Sequence, residues 1–404
     1  MKCGFFLIIL YLNLFGLSAW GQRSVSDFDR DWRFARFGLQ ADGSRLPEPD
    51  SLEAYEVDDT GWRKLDVPHD WAIEGPFRID LDGYTGKLPW QGIGWYRKHF
   101  EVSSKDKKKR FYLDFDGTMA NAEVWLNGKK VGGRPFGYSS FRVDLTPYVL
   151  YGTDNVVAVR LDTEKFGSRW YPGAGLYRNV HLIVTDKIHV PVWGTQITTP
   201  HVSKEFAAVR LQTRIDNAGE KTQIRMETEI LSPDGKVVTR KENTGRINHG
   251  QPFEQNFIVN APELWSPENP SLYKAVSKIY ANNKLVDTYT TRFGIRSIEF
   301  IADKGFYLNG EHRKFQGVCN HHDLGPLGAA INVAALRHQL TLLKDMGCDA
   351  IRTSHNMPAP ELVELCDEMG FMMMIEPFDE WDIAKCDNGY HRYFNEWAER
   401  DMIN

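Results

Sequence analysis

The sequence is poor in cysteine, has no excess of positive charge and contains no apolar run long enough to span a bilayer. Its 404 residues include 5 cysteines, and no two of them are spaced as Cys-x-x-Cys, which excludes the usual zinc-ribbon and dithiol redox motifs. The formal net charge of −5 argues against a nucleic-acid partner, which would require a basic face. The apolar run at residues 5–17 is too short for a membrane-spanning helix.

That apolar run has the features of an export signal. Lys2 precedes it, and Ala19 and Gly21 supply the small residues that a signal peptidase prefers. We therefore expect residues 1–21 to be a signal peptide, cleaved after Gly21, and the mature protein to be periplasmic or secreted. The cysteines that remain after cleavage are expected to be buried free thiols: Cys319, Cys348, Cys366 and Cys386.

A chain of this length is expected to hold two or three domains. Residues 22–186 contain short alternating stretches such as "RFYLDFDG" and "NVVAVRLD", and Asn127-Gly128 is a typical type I′ hairpin turn. This pattern predicts a β-sandwich of the jelly-roll kind. Residues 187–296 continue the alternation, with a turn at Asp234-Gly235, and predict a second, immunoglobulin-like β-sandwich.

The pattern changes at residue 297. From there the chain predicts elements in the order β-α-β-α-β-α, which indicates a parallel sheet. No Gly-x-Gly-x-x-Gly motif follows the first strand, so a dinucleotide-binding fold has no support. Polar residues follow each strand as "NHHD", "SHN" and "EPFDEWD", and active sites of (β/α)8 barrels are built from such loops. Residues 297–404 are therefore predicted to be the N-terminal part of a truncated TIM-barrel catalytic domain, with about three of its eight β/α units.

Seven motifs follow one another along the chain: "VPHDWAIEGPF", "GIGWYRKHF", "SRWYPGAGLYRNVHL", "FGIRSIEF", "FYLNGEHRKFQGVCNHHD", "AIRTSHN" and "EPFDEW". Together they resemble glycoside hydrolase family 2, in particular its exported β-galactosidase-like members, over residues 25–404. The resemblance implies an exo-acting, retaining hydrolase of terminal β-galactosides in oligosaccharides, polysaccharides or other β-glycosides, without a cofactor. β-Glucuronidase and β-mannosidase activities remain open alternatives within the family.

The resemblance also implies roles for residues after the first three barrel strands. His321 and His355 match family positions that hydrogen-bond sugar hydroxyls, and a neutral imidazole offers the donor and the acceptor that a hydroxyl needs. Asn356 is expected beside His355 on the same substrate-holding shelf. Arg352 matches an arginine that supports the catalytic carboxylates, and Glu376 falls on the acidic position after the third strand. Adjacent strand residues point in opposite directions, so His322 is expected to face away from His321.

Two departures from the family pattern bear on the substrate and on metals. The jelly-roll loop that reaches the sugar carries an aspartate in some members, but here it reads Ser168-Arg169-Trp170. Arg169 and Trp170 are therefore predicted to contact the substrate, without a sodium-linked galactose contact. No histidine lies close to "PFDEWD" in the sequence, so we expect no metal there. Trp381 in that motif either stacks on a sugar face or packs under the barrel mouth.

The resemblance implies that the two catalytic carboxylates lie downstream of Asn404. In this family the acid/base belongs to an Asn-Glu pair after the fourth strand, and the nucleophile follows the seventh. The Asn-Glu pair that does occur after Glu376 is Asn395-Glu396, which lies inside a helical pattern. We therefore predict that the chain is a fragment and that it is inactive by itself.

Two other classes of protein stay open at this point. A non-catalytic carbohydrate-binding protein would be favoured if the gene stops at codon 404. A metal-dependent barrel hydrolase could use His321, Asp323 and His355, but such sites usually have His-x-His on the first strand, and this chain has His-His-Asp. An oligomer is compatible with the sequence.

Overall fold

The computed structural model describes residues 23–163, 167–247 and 252–403. The predicted signal peptide at residues 1–21 lies outside these ranges, so it stays a prediction. Within the described ranges, no helix combines the length and the apolarity needed to cross a membrane. The described residues before residue 333 contain no α-helix, as expected of two all-β units.

The first unit is a sandwich of two antiparallel sheets. Its strands are β1 (Ser24–Asp27), β2 (Trp32–Leu39), β3 (Arg45–Leu46), β4 (Arg63–Leu65), β5 (Gly92–Glu101), β6 (Arg110–Phe115), β7 (Ala122–Leu126), β8 (Lys129–Arg134), β9 (Phe141–Asp144), β10 (Asp154–Thr163) and β11 (Val180–Thr185). One sheet has the order β1-β11-β6-β9, and the other has the order β3-β2-β5-β10-β7-β8 with β4 paired to β2. The two sheets enclose an aromatic-rich core that includes Trp32, Leu113 and Phe115.

The second unit is a smaller antiparallel sandwich. Its strands are β12 (Ile188–His189), β13 (Thr195–Val202), β14 (Phe206–Arg214), β15 (Asp216–Asn217), β16 (Thr222–Leu231), β17 (Val237–Ile247), β18 (Pro252–Asn260), β19 (Tyr273–Ala281) and β20 (Lys284–Phe293). A three-stranded sheet (β13-β14-β18) faces a four-stranded one (β17-β16-β19-β20). Strict alternation of buried and half-exposed residues along β16 matches one face in the core and one face toward solvent.

The third unit begins with a hairpin and continues as three β/α repeats. Its elements are β21 (Ile298–Ile301), β22 (Gly305–Leu308), β23 (Glu311–Arg313), β24 (Gly317–Asn320), α1 (Val333–Asp345), β25 (Ala350–Thr353), α2 (Pro360–Met369), β26 (Met372–Ile375) and α3 (Phe394–Ile403). β24, β25 and β26 form a parallel sheet in chain order. Asn332 caps α1 by accepting the Ala335 N–H at 3.0 Å, and left-handed Gly370 ends α2. The unit is the first part of a TIM barrel, as the sequence predicts.

The carboxyl ends of the barrel strands pack against the first sandwich. An apolar cluster joins the two units through Met119, Phe136, Tyr138, Tyr177, Ala329, Phe378 and Tyr390. Arg134 on β8 forms a buried ion pair with Asp401 on α3, with 2.9 Å between Nε and Oδ1. The loop ends of the barrel and of the jelly roll therefore form one continuous surface.

The cysteines are free, as expected, but they are not uniformly buried. Cys366 on α2 is buried, Cys348 and Cys386 are half-buried, and Cys319 is exposed. Cys319 lies on β24 and lines an open apolar cleft with Phe315 and Met374. The expectation of buried thiols is wrong for Cys319, because no described element covers that face of the parallel sheet.

Candidate substrate-binding site

Three strand ends bring the predicted polar residues to one edge of the parallel sheet. Asn320 at the end of β24 pairs with Thr353 at the end of β25, and Thr353 pairs with Ile375 at the end of β26. The residues that follow these strands, His321, His355 and Glu376, therefore leave the sheet side by side.

His321 and His355 form a wall of rings together with Trp170 of the jelly-roll loop. The two imidazole centroids lie 5.6 Å apart at an interplanar angle of 89°. The Trp170 ring lies 5.2 Å from His321 and 5.7 Å from His355. Trp170 is fixed in turn, because its Nε1–H donates to the Tyr138 hydroxyl at 3.0 Å. The jelly roll thus contributes one side of the cleft and the barrel the other.

Glu376 is the carboxylate at the centre of this edge. The Nδ1 atom of His355 lies 3.0 Å from both Glu376 oxygens, and Arg352 forms an ion pair with the same carboxylate. The Glu376 N–H donates to the Thr353 hydroxyl at 3.1 Å. Since the Glu376 side chain is 24% exposed, its oxygens are oriented by these contacts while they still face the cleft.

The environment of His321 favours the neutral form of its ring. Burial, and then the charge of His355, lower the pKa of His321 below its usual value. A neutral imidazole carries one donor and one acceptor nitrogen. His321 is therefore suited to a hydroxyl group and poorly suited to an ion pair with an anion.

His322 faces away from the cleft. Its Nε2 atom lies 2.9 Å from the carbonyl oxygen of Pro172, and its ring meets the ring of Tyr138 edge-on at a centroid distance of 5.0 Å. Burial lowers the pKa of His322 to about 3. The alternation argument therefore describes its direction correctly, and His322 helps to join the barrel to the jelly roll.

Asn356 does not lie on the open shelf where the sequence places it. The residue is only 2% exposed, and it lines a small internal cavity of about 20 Å³ together with Arg178 and His322. Among the described residues, its Nδ2 atom has no hydrogen-bond partner. Asn356 is therefore not exposed on an open shelf as expected, and its contact with substrate stays a prediction.

Arg169 and Trp381 lie at the rim of the cleft. Arg169 Nε donates to Asp379 Oδ2 at 3.0 Å, so the arginine connects the jelly-roll loop to the loop after β26. Although burial acts to raise it, the hydrogen bonds from Arg169 and Lys385 lower the pKa of Asp379. Trp381 is 65% exposed, and its ring lies parallel to Phe394 at 6.2 Å. Among the described residues Trp381 is therefore largely uncovered, and its contact with a sugar stays a prediction.

Sequence reasoning missed the environment of Glu380. This residue is 3% exposed, and its carboxylate accepts the N–H groups of Lys385 at 2.7 Å and Cys386 at 2.6 Å. The ring of His391 also lies beside it, with 3.0 Å between Nδ1 and Oε2. The sequence has no histidine close to this motif, but the folded chain does, because a 3₁₀ turn at Tyr390–Arg392 brings His391 back to Glu380. No sequence spacing signals this contact.

The described ranges contain no group of three or more His, Cys, Asp and Glu side chains arranged to hold a metal ion. Glu380 and His391 are two such groups, and the other hydrogen bonds described for Glu380 come from backbone N–H groups and from the Cys386 thiol at 3.1 Å. The proposed absence of a metal stays a prediction.

Two β-sandwiches followed by a β/α barrel segment, with a polar cleft at the carboxyl ends of its strands, are the architecture of a modular glycoside hydrolase. Three models of glycosyl hydrolases family 2 match the chain: the sugar-binding domain at residues 26–186, the central family 2 domain at residues 190–296 and the TIM-barrel domain at residues 300–391. The chain belongs to glycosyl hydrolase family 2.

Similar proteins include enzymes of two specificities. The chain is 45% identical over 386 residues to the β-galactosidase BoGH2A of Bacteroides ovatus, an alignment with 94% of this chain and 44% of the relative. It is 37% identical to a putative β-glucuronidase of Formosa agariphila, with 98% of this chain and 37% of the relative aligned. A family 2 crystal structure from Bacteroides cellulosilyticus superposes with a TM-score of 0.89 at 34% identity, covering 94% of this chain and 49% of that one. The chain thus spans less than half the length of these relatives.

Proposed function

We propose that the chain forms the substrate-binding, N-terminal part of an exo-acting, retaining β-galactosidase in carbohydrate metabolism. The observation that carries this proposal is the joint cleft, in which Trp170 of the jelly roll lies against His321 and His355 of the barrel. Similarity to a β-galactosidase at 45% identity supports the choice of substrate. Residues 1–21 would direct the protein out of the cytoplasm as a cleaved signal peptide.

The proposed binding mode follows from the chemistry of the cleft. His321, whose lowered pKa favours the neutral ring, and the free side of His355 would each hydrogen-bond a sugar hydroxyl. Glu376 would accept a hydrogen bond from a sugar hydroxyl, since Arg352 and His355 keep it oriented toward the cleft. Trp170 and exposed Trp381 offer flat apolar faces to the C–H face of a pyranose ring.

A neutral sugar fits this cleft better than a uronic acid. The carboxylate of a glucuronide needs a cation as its partner. The positive groups at the cleft are already engaged by protein carboxylates: Arg352 by Glu376, and both Arg169 and Lys385 by Asp379. β-Glucuronidase activity is the second candidate, because several relatives carry that name.

We place the catalytic acid/base and nucleophile in polypeptide beyond Asn404. A retaining glycosidase needs two carboxyl groups about 5.5 Å apart on opposite sides of the scissile bond. The carboxylates of the described strand ends belong to one side, and three of them are engaged: Glu376 by Arg352, Asp379 by Arg169, and Glu380 by backbone N–H groups.

The test compares the 404-residue chain with the same chain continued by the C-terminal remainder of the Bacteroides ovatus relative. Both are assayed on aryl β-galactoside and aryl β-glucuronide, and NMR records the anomeric configuration of the first product. We expect the continued chain to hydrolyse the galactoside with retention, and the 404-residue chain to hydrolyse neither substrate.

Each other outcome has a defined meaning. A preference for the glucuronide would select the second candidate. Galactoside binding by both proteins with hydrolysis by neither would indicate a carbohydrate-binding protein. Robust hydrolysis by the 404-residue chain would show that the catalytic carboxylates are misplaced.

A further inference from the structure

Arg178 is a buried cation at the seam between the jelly roll and the barrel. It lies just before β11 and is 1% exposed. Its guanidinium makes four hydrogen bonds, and every acceptor is a backbone carbonyl oxygen: Asp116 at 3.2 Å, Tyr138 at 2.8 Å, Met357 at 2.9 Å and Pro358 at 3.3 Å. The guanidinium also lies over the ring of Tyr177 at 5.0 Å.

This arrangement is energetically demanding. Removing a charge from water is costly unless paired charges or hydrogen bonds replace its hydration. None of the hydrogen bonds described for Arg178 goes to a carboxylate, so its hydration is replaced by carbonyl dipoles and the face of Tyr177, while Glu361 interacts with it only electrostatically. Only the planar guanidinium group of arginine, with its several N–H donors, can reach four carbonyl oxygens at once. Lysine has a single nitrogen and cannot do so.

The four carbonyls belong to two different units. Asp116 and Tyr138 lie in jelly-roll loops, whereas Met357 and Pro358 lie in the loop between β25 and α2. That loop also contains His355, two residues before Met357, and buried Asn356. One side chain therefore ties the backbone directly after His355 to the rigid frame of the sandwich.

We propose that Arg178 is a positioning residue of the candidate site, which acts by fixing the loop of residues 354–359 and hence the direction of His355. The jelly roll then has two tasks: Trp170 lines the cleft, and Arg178 holds the barrel loop that faces Trp170. The effect on turnover rests on the proposed function, but the effect on the loop does not.

The experiment replaces Arg178 by lysine in the continued chain and uses Arg97→Lys as a matched control. Arg97 is fully buried in the same sandwich and also donates to loop carbonyls, at 2.7 Å to Leu52 and 3.0 Å to Ala54. It has an acidic partner in Asp59 and makes no contact with the barrel loop. Both variants are measured well below their melting temperatures.

Two measurements are made: hydrogen exchange of the backbone N–H groups of residues 354–357 and 359, and the kinetics (kcat and KM) on aryl β-galactoside. We expect Arg178→Lys to speed exchange in this loop at least tenfold and to lower kcat by 10- to 100-fold, since small misplacements of contact groups have effects of that size. KM should change less than kcat. Arg97→Lys should lower the melting temperature and change neither the loop exchange nor the kinetics.

Unchanged loop exchange and unchanged kcat in Arg178→Lys, with a melting temperature lowered as in Arg97→Lys, would overturn the proposal and leave Arg178 a merely structural residue. If Arg178→Lys does not fold, Arg178→Gln is measured in its place, because glutamine keeps two N–H donors without the buried charge. If the parent protein hydrolyses no glycoside, the proposed function fails, while loop exchange still decides the role of Arg178.

Discussion

The strands of the first sandwich and the strands of the barrel segment are similarly apolar, but they bury their side chains very differently. Leu113 and Phe115 on β6 are completely buried between two sheets. Met374 and Ile375 on β26 are 61% and 47% exposed. The sandwich is closed on itself, whereas one face of the parallel sheet has no cover among the described residues.

This difference shows which contacts support the residues of the candidate site. Among the described residues, the strand ends are supported by contacts with the jelly roll. Arg178 holds the loop after β25, and Arg169 holds Asp379 in the loop after β26. The closed sandwich therefore acts as the frame, and the barrel residues that face the substrate are attached to it.

The largest expected effect concerns stability in the closed region. In the 404-residue chain, Leu113→Ala should lower the free energy of unfolding of the jelly roll by about 3 kcal/mol, because it leaves a cavity in a packed core. Met374→Ala should change stability by less than about 0.5 kcal/mol, as is usual for exposed sites. Urea unfolding followed by tryptophan fluorescence measures both. Equal losses would show that β26 is covered in solution.

The next effect concerns turnover at the cleft. In the continued chain, His355→Ala should lower kcat on aryl β-galactoside by about 10²-fold, because hydroxyl contacts that strengthen in the transition state act on kcat. His338→Ala is the control, since His338 is exposed on the outer face of α1. Unchanged kinetics of His355→Ala would remove His355 from the substrate contacts.

A smaller effect concerns pH and an ion pair on the outer face of the sandwich. The hydrogen bond from His181 Nε2 to Asp116, at 3.0 Å, raises the pKa of His181 to about 9. Because the folded pKa lies above the ordinary value of about 6.5, this pair stabilises the folded state fully below pH 6.5, and the contribution is lost as the pH rises through 9. His181 is 33% exposed, so the loss should be only about 1 kcal/mol.

Urea unfolding of the 404-residue chain at pH 6, 7.5 and 9.5 measures this contribution. His181→Gln keeps a neutral hydrogen-bonding side chain and should remove the additional loss above pH 7.5. A variant that follows the pH dependence of the parent would assign the change to other groups.

A further comparison concerns thiol reactivity on the two sides of the parallel sheet. A hydrogen bond from Arg352 lowers the pKa of exposed Cys319, whereas burial raises the pKa of Cys366 to about 12. Iodoacetamide should therefore label Cys319 about 100-fold faster than Cys366 in the 404-residue chain. Mass spectrometry of tryptic peptides gives both rates, and similar rates would contradict the open face described here.

A large part of this fold can be predicted from local sequence patterns. Alternation along strands such as β6 and β16 predicts both sandwiches, since period-two burial is encoded residue by residue. The rule that parallel strands end at one edge places His321, His355 and Glu376 together. The same alternation predicts that His322 faces away from His321.

Contacts between segments that are distant in the sequence cannot be predicted from such local patterns. Arg169 and Asp379 are 210 residues apart in the chain, and no local periodicity relates them. His391 reaches Glu380 through an irregular turn, and Asn356 is buried beside Arg178 of the jelly roll. These features depend on how one unit docks on another, which composition and spacing do not specify.

The central claim is that the jelly roll and the barrel form one sugar-binding cleft, and a crystal structure of the chain with an aryl β-thiogalactoside tests it most directly. We expect the pyranose ring to lie against Trp170, with sugar hydroxyls within hydrogen-bond distance of His321, His355 and Glu376. A thiogalactoside bound elsewhere, with Trp170 and both histidines free of contact, would contradict it.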